Sequence, residues 1–497
     1  MHCGQYLIRT TSLRREESSK VLISRKQEIT RISDRSSVDG HRVISLPKSE
    51  SLQTIETPIA REGLVFVSET TDEFLVSYDE MEIARARHAK GLRVFDSEAL
   101  AIRSVLGQAP LAPTILADTS VLPPLSSLTV GSLTPNFQIG GTSVEVTSRV
   151  VPKPSSRDEL LMEMMGLYRR KMQSHKRIGV FVSAGWDSRL ELACITRIAE
   201  DDDKECTFIH ICDDPEDLRI VQALAKNCNV PLVVYAATAL DREFFGSGGV
   251  YKLSSKLNAL PTWRPSIPRY FLASRHFLQR GNDLVVGYAP HSLKGRNYDM
   301  PLTDVPPSGG IFREILANWG SPPPPKKDTN IQRRTWRNVR NVASGWDEAA
   351  QRDYLLWVLH NGFSYSHRNW PDITPEIAQV NNDPLLLSRF MGLQPDEKKG
   401  TSFIEFALKH IRPELLEIPL RSSTGEKGIG GSRRRIPLCS RSQADILFQL
   451  NHFGHNVEDF SLLPAVSGPV DSLARIQLRS FLQSFKTVTT DSMPIRD

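Results

Sequence analysis

Residues 177–193 read RIGVFVSAGWDSRLELA, and the order of chemistry along them decides the fold. Arg177 to Val182 is a strand-sized apolar run, Ala184 and Gly185 turn the chain, and a helix opens at Asp187 or Ser188. Two hydroxyls (Ser183, Ser188), one carboxylate (Asp187) and a glycine therefore gather at the positive end of a helix. Backbone N–H groups there favour an anion, and Gly185 lets the backbone approach it closely. Asp187 would repel a bare phosphate, so its presence makes better sense with Mg²⁺ between carboxylate and phosphate. Simple capping of the helix by Asp187 or Ser188 accounts for the same residues equally well.

Outward from this segment the pattern repeats. RDELLMEMMGLYRRKMQ (157–173) has helical spacing of Leu and Met. CTFIHICDD (206–214) reads as a strand, PEDLRIVQALAKNCN (215–229) as a helix and VPLVVYAA (230–237) as a strand. RYFLASRHFLQRGN (269–282) and DLVVGY (283–288) add a helix and a strand. Strands alternating with helices at this pitch imply βαβ units. The expected class is α/β, a parallel sheet with helices on both faces. The proline run SPPPPKKDTN (321–330) interrupts, and DEAAQRDYLLWVLHNGF, DPLLLSRFMGL and SFIEFALKHI predict a helical C-terminal subdomain.

Upstream, residues 1–60 are polar, rich in Ser, Arg and Glu, and read as a mobile or loosely packed arm. GLVFVSE (63–69), EFLVSYD (73–79) and GLRVFDSE (91–98) read as short strands, SEALAIRSVLG (97–107) as a helix and TSVEVTSRVV (142–151) as a strand. Together they predict a small β-rich domain over 61–153, joined by the linker PKPSS (152–156) to a domain spanning 154–465. Residues 466–497 form a tail.

The chain has 497 residues, with 40% hydrophobic and 24% charged, which excludes a fully disordered or fibrous protein. No run approaches the ~18 apolar residues of a membrane span, and the N-terminus lacks a signal-type apolar core, so a cytoplasmic address is expected. Six cysteines without CxxC spacing read as reduced thiols. A formal charge of +5 permits a phosphate-rich ligand without demanding nucleic acid, which is not expected as a partner.

SAGWDS (183–188) resembles the SGGxDS pyrophosphate loop of the N-type ATP pyrophosphatases (PP-loop proteins), most closely that of the asparagine synthetase family. Weaker likenesses follow in order: DDPEDLRIVQALAKNCNVPL, PTWRPSIPRYFLASRHFLQRGNDLVVGY, NNDPLLLSRFMGLQPDEK and IRPELLEIPLRSSTGEKGIG. Upstream, FDSEALAIRSVLG and VLPPLSSLTVG are similar to the end of the family's N-terminal glutaminase domain. The resemblance implies a carboxylate that attacks the α-phosphorus of ATP, expels pyrophosphate and passes as an acyl-adenylate to an amine. Ser183, Ala184, Gly185, Trp186, Asp187 and Ser188 would then cradle pyrophosphate, with Asp187 holding Mg²⁺. Cys212 and Asp213 would lie near the adenine, at the usual crevice for such sheets. Arg264 aligns with a substrate-pocket arginine, although a surface role is commoner.

The sequence departs from the family in three places. In the second metal loop, Gly287-Tyr288-Ala289-Pro290-His291-Ser292-Leu293-Lys294-Gly295-Arg296, His291 stands where the family has the metal-binding Asp. Imidazole is a poor ligand for Mg²⁺. Lys294 and Arg296 could neutralise phosphate there instead, alongside Gly287. The family's adenylation lysine falls at Thr401, and a short shift makes Lys399 the candidate, with Lys427 a second. Cys3 follows His2, so it lacks the free α-amine that activates a glutaminase nucleophile. The expectation is an ATP-dependent ligase joining a small-molecule or peptide carboxylate to ammonia or a substrate amine. The alternative is a non-catalytic nucleotide- or partner-binding homologue.

Overall fold

Short strands, some alternating between buried and less buried positions (Ser126–Val130, Phe137–Ile139) and others buried nearly throughout (Val65–Glu69, Glu73–Ser77, Thr119–Leu122), build the N-terminal part into two antiparallel sheets. The computed structural model describes residues 21–25, 28–32, 43–48, 53–56, 64–77, 80–96, 113–246, 266–281, 284–287, 330–363, 377–378 and 383–420, with the single residues 99, 111, 293, 295 and 380. Among the described residues, ten strands and one helix come first: β1 (Val21–Arg25), β2 (Glu28–Ile32), β3 (Ile44–Pro47), β4 (Gln53–Glu56), β5 (Val65–Glu69), β6 (Glu73–Ser77), α1 (Glu80–Ala89), β7 (Thr119–Leu122), β8 (Ser126–Val130), β9 (Phe137–Ile139) and β10 (Thr142–Ser148). One sheet runs β2-β1-β4-β8-β10-β9, the other β3-β6-β5-β7.

Four strands lie between residues 21 and 56, within the segment whose composition reads as a mobile or loosely packed arm. β3 pairs with β6 and β4 with β8, so neighbours distant in sequence order these short segments. GLRVFDSE is not a strand: residues 91–94 are irregular, and Phe95 makes a single bridge to Leu116. Most of the helix expected over 97–107 lies outside the described residues.

From Arg157 the expected alternation holds. The elements are α2 (Arg157–Met172), β11 (Arg177–Phe181), α3 (Trp186–Asp201), β12 (Glu205–Cys212), α4 (Pro215–Asn227), β13 (Leu232–Ala236), α5 (Ala237–Gly246), α6 (Ser266–Gln279) and β14 (Leu284–Val286). Then come α7 (Asn330–Val342), α8 (Glu348–Leu356) with a π turn at Trp357–Gly362, β15 (Ile377–Ala378), α9 (Pro384–Met391) and α10 (Ser402–Ile411). The strands form one parallel sheet in the order β13-β12-β11-β14-β15.

Both faces of the sheet's centre are covered, which is why β11 and β14 and the middle of β12 are largely apolar, whereas the edge strand β13 is only partly buried. Ile178, Val180, Phe208 and Val286 point into a core shared with α2, α3, α4, α9 and α10. Phe181, Ile209 and Val285 point the other way, against Ala273 and Phe277 of α6. The C-terminal helices are divided between cores. α10 joins the parallel sheet, α9 divides (Leu386 and Phe390 with the parallel sheet, Leu387 and Met391 with the antiparallel sheets), and Trp336 and Val339 of α7 and Tyr354 and Leu355 of α8 pack with the antiparallel sheets. No described helix is long and apolar enough to cross a membrane.

Candidate functional site

The chain leaves β11 at Phe181 and enters α3 at Trp186, so residues 182–185 form a turn at the C-terminal edge of the parallel sheet. The helix cap is Gly185, in extended conformation, and no side chain caps it. Capping by Asp187 or Ser188 therefore does not explain this segment. Ser188 Oγ lies 2.8 Å from Ser183 Oγ, joining the two hydroxyls across the mouth of the turn. Gly185 is exposed, and Ser183, Trp186, Asp187 and Ser188 are partly so. Ala184 is buried, and its N–H donates to Asp217 Oδ1 at 3.0 Å.

That last bond opens a brace invisible in the local sequence. Asp217 sits in the first turn of α4, and its Oδ2 is 3.7 Å from Nε2 of His210 on β12. His210 is buried, and its Nδ1 is 3.1 Å from the carbonyl of Val182. A carbonyl can only accept, so Nδ1 carries the proton. His210 and Asp217 thus grip the turn on either side of Ser183.

Glu191, one helical turn beyond Asp187, is buried and accepts from the Tyr168 hydroxyl at 3.4 Å. It flanks the second loop. Gly287 leaves β14 at φ +119°, and a Cβ there would come 3.1 Å from Phe181 Cβ and 3.4 Å from Glu191 Oε2. Further on, a Cβ on Gly295 would fall 1.8 Å from the carbonyl oxygen of Lys398. Only glycine fits at this position, and the close approach sets Gly295 beside Lys398–Lys399. Lys399 itself is exposed and ends the short helical turn Pro395–Lys398. Its neighbour Lys398 is fully buried, with Nζ 2.7 Å from Asp353 Oδ2 and 2.7 Å from the Met391 carbonyl.

Arg189, also on α3, is buried. It donates to the carbonyls of Leu415 (3.0 Å), Ile418 (2.5 Å) and Pro419 (2.6 Å), tying the chain after α10 to the helix that carries the loop. At the end of β12, Cys212 is half-buried and Asp213 is exposed, 3.5 Å from Arg269 Nη1 on α6. Arg264, Lys294, His291, Arg296, Lys427 and Cys3 lie outside the described residues. Burial pushes the thiols of Cys206 and Cys228 up to about 12 and about 11, and raises that of Cys194 as well, with the Glu191 charge adding to it there. These are packing thiols rather than nucleophiles.

No family model matches the chain, and no curated protein does. Among the solved structures that share a likeness are two synthetases. One is the NH3-dependent NAD synthetase from Campylobacter jejuni subsp. jejuni, 15% identical with TM-score 0.23, covering 45% of this chain and 99% of that one. The other is the NMN synthetase from Francisella tularensis, 11% identical with TM-score 0.21, covering 63% of this chain and 99% of that one. At TM-scores this low, the site stands on its own geometry.

That geometry is an uncapped helix start, a hydroxyl pair and a carboxylate at the edge of a parallel sheet. Among the described residues no three His, Cys, Asp or Glu side chains form a ready metal cage. A single carboxylate suits Mg²⁺, which commonly takes its other oxygens from phosphate and water.

Proposed function

We propose that the chain is an ATP-dependent, amide-forming ligase of the asparagine synthetase type. A substrate carboxylate oxygen bonds to the α-phosphorus of ATP, and the bond from that phosphorus to the β-bridging oxygen breaks, releasing pyrophosphate. An amine, either ammonia or a substrate amine, then attacks the acyl carbon and loses a proton, and AMP departs. Ser183 and Ser188 donate hydroxyl hydrogen bonds to the leaving pyrophosphate, and the first N–H groups of α3 offset its growing charge. Asp187 would hold Mg²⁺, whose chemistry here is neutralisation of the polyphosphate. Arg264 would position the substrate carboxylate. Lys399 and Lys294 would neutralise phosphate charge, and Cys212 and Asp213 would border the adenine.

The single observation that supports this most is the 2.8 Å Ser183–Ser188 contact beneath a helix start that no side chain caps. ATP–pyrophosphate exchange over a panel of carboxylates tests it. With a productive carboxylate, Asp187→Ala should lower exchange by about a hundredfold, comparable to losing one strong charge-stabilising contact. Full-rate exchange in that variant contradicts the metal role.

A second reading keeps nucleotide binding and gives up catalysis. The Ala184 N–H already satisfied by Asp217 favours it, as does His291 in the second loop. ATP binding without exchange on any carboxylate would select this reading, and a gain of exchange in His291→Asp would mark a decayed site.

A further inference from the structure

Helix α7, NIQRRTWRNVRNV, carries four arginines and no acidic residue. Its apolar face is anchored: Trp336, Val339 and Val342 join the core of the antiparallel sheets. Asn338 adds a two-way grip on β9, donating to the Gln138 carbonyl at 2.7 Å and accepting from the Gln138 N–H at 3.0 Å. The helix is therefore held in one orientation, and its polar face is fixed in space.

On that face Arg333, Arg334 and Arg337 line a cleft of about 400 Å³, whose other wall includes Asp96, Gln138 and Gly140. None of the three arginines has an ion pair or hydrogen bond among the described residues, while the acids nearby are engaged elsewhere. Asp96 pairs with Arg93 at 3.5 Å and accepts the Ala99 N–H. Glu69, behind Gly140, is taken by Lys48, Thr142 and Gly141. Burial raises its carboxyl, but these donors outweigh that and hold it below the ordinary range, so it stays charged and committed.

The like charges of Arg333 and Arg334 each lie one helical turn from Arg337, and each such pair repels by about a few tenths of a kcal/mol. An anion that enters the cleft removes that repulsion. Guanidinium forks match phosphate oxygens in bidentate fashion, and Arg333 and Arg337, roughly 5–6 Å apart at Cβ by helical geometry, can serve separate groups. The cleft is concave and sized for a small molecule. It has no aromatic lining, so it offers no stacking platform for single-stranded nucleic acid. We propose that this cleft binds a small metabolite carrying two or more phosphate groups, at a site that shares no residue with the 183–188 turn.

Calorimetric titration of the full chain with inorganic tripolyphosphate tests this. Ser183→Ala separates the cleft from the turn, because tripolyphosphate can also enter the turn. Arg333→Gln/Arg334→Gln/Arg337→Gln should weaken binding at one site by about tenfold or more, and higher salt should weaken that site in the parent. Ser183→Ala should leave this event intact. Arg337→Gln alone, at an exposed position, should still weaken it about threefold if the triple variant fails to fold. Equal binding by parent and arginine variants overturns the proposal. So does citrate binding as tightly as tripolyphosphate, or a short RNA binding more tightly through the same arginines.

Discussion

The two loops that leave the neighbouring strands β11 and β14 are fixed in opposite ways. The first, 182–188, is held by polar side chains: Ser183 to Ser188, Asp217 to Ala184 and His210 to Val182. In the second, the described residues Gly287 and Gly295 stand where a side chain is missing: Gly287 takes φ +119°, a backbone that L side chains rarely adopt, and a methyl on Gly295 would run into the Lys398 carbonyl. A loop built from hydrogen bonds announces itself by residue type. One built from close approach shows only glycines, whose reason lies in a distant segment.

The largest effect on this contrast is expected at the wall of the second loop. Lys398→Met leaves Asp353 buried without its cation and should cost about 3–5 kcal/mol in urea unfolding. A loss below about 1 kcal/mol would mean that the pair does not anchor that wall. Gly295→Ala should come next, at about 2–3 kcal/mol, because the methyl meets backbone rather than a yielding side chain. A neutral result there would break the claim that close packing fixes this loop.

At the first loop the cost should fall on binding more than on folding. Asp217→Ala frees the Ala184 N–H and leaves His210 facing an empty site. It should cost about 1 kcal/mol in stability and raise KM for ATP in the exchange assay several-fold. An unchanged KM would show that the brace does not shape the turn.

The smallest effect is a control on the sheet beneath both loops. Thiolate is the reactive form, and at pH 8 a thiol at about 11, such as Cys228, is only roughly one part in a thousand ionised. Cys194, Cys206 and Cys228 should resist iodoacetamide in the native chain and react after unfolding. Rapid native labelling would show that this core opens.

Much of the parallel sheet could be read from residues 177–237, because strands buried on both faces are largely apolar and the helices between them carry regular apolar spacing. The hydroxyls and carboxylate of 183–188 were equally plain. The antiparallel region was harder. α1 (EMEIARARHA) has little amphipathic contrast because its buried residues include charges. Glu80 accepts from the Thr114 hydroxyl and the Ile115 N–H, and Arg87 reaches Ser68, the Glu69 carbonyl and Asp118. Those partners are long-range, so the local signs of the helix, acids in its first turn and bases in its last, stand without an apolar stripe to support them. β3 (ISLP) and β4 (QTIE) escaped for the same reason, as four-residue segments ordered by the strands beside them. His210 and Asp217 lie about 30 residues from the loop that they brace, and only the parallel register of β11 and β12 brings them to it.

The most direct measurement is a crystal structure of the full chain soaked with ATP and magnesium. The triphosphate should lie along the start of α3, with β- or γ-phosphate oxygens within about 3 Å of Ser183 Oγ and Ser188 Oγ and the metal against Asp187. A nucleotide bound elsewhere, with the two serines still bonded to each other, would contradict the account.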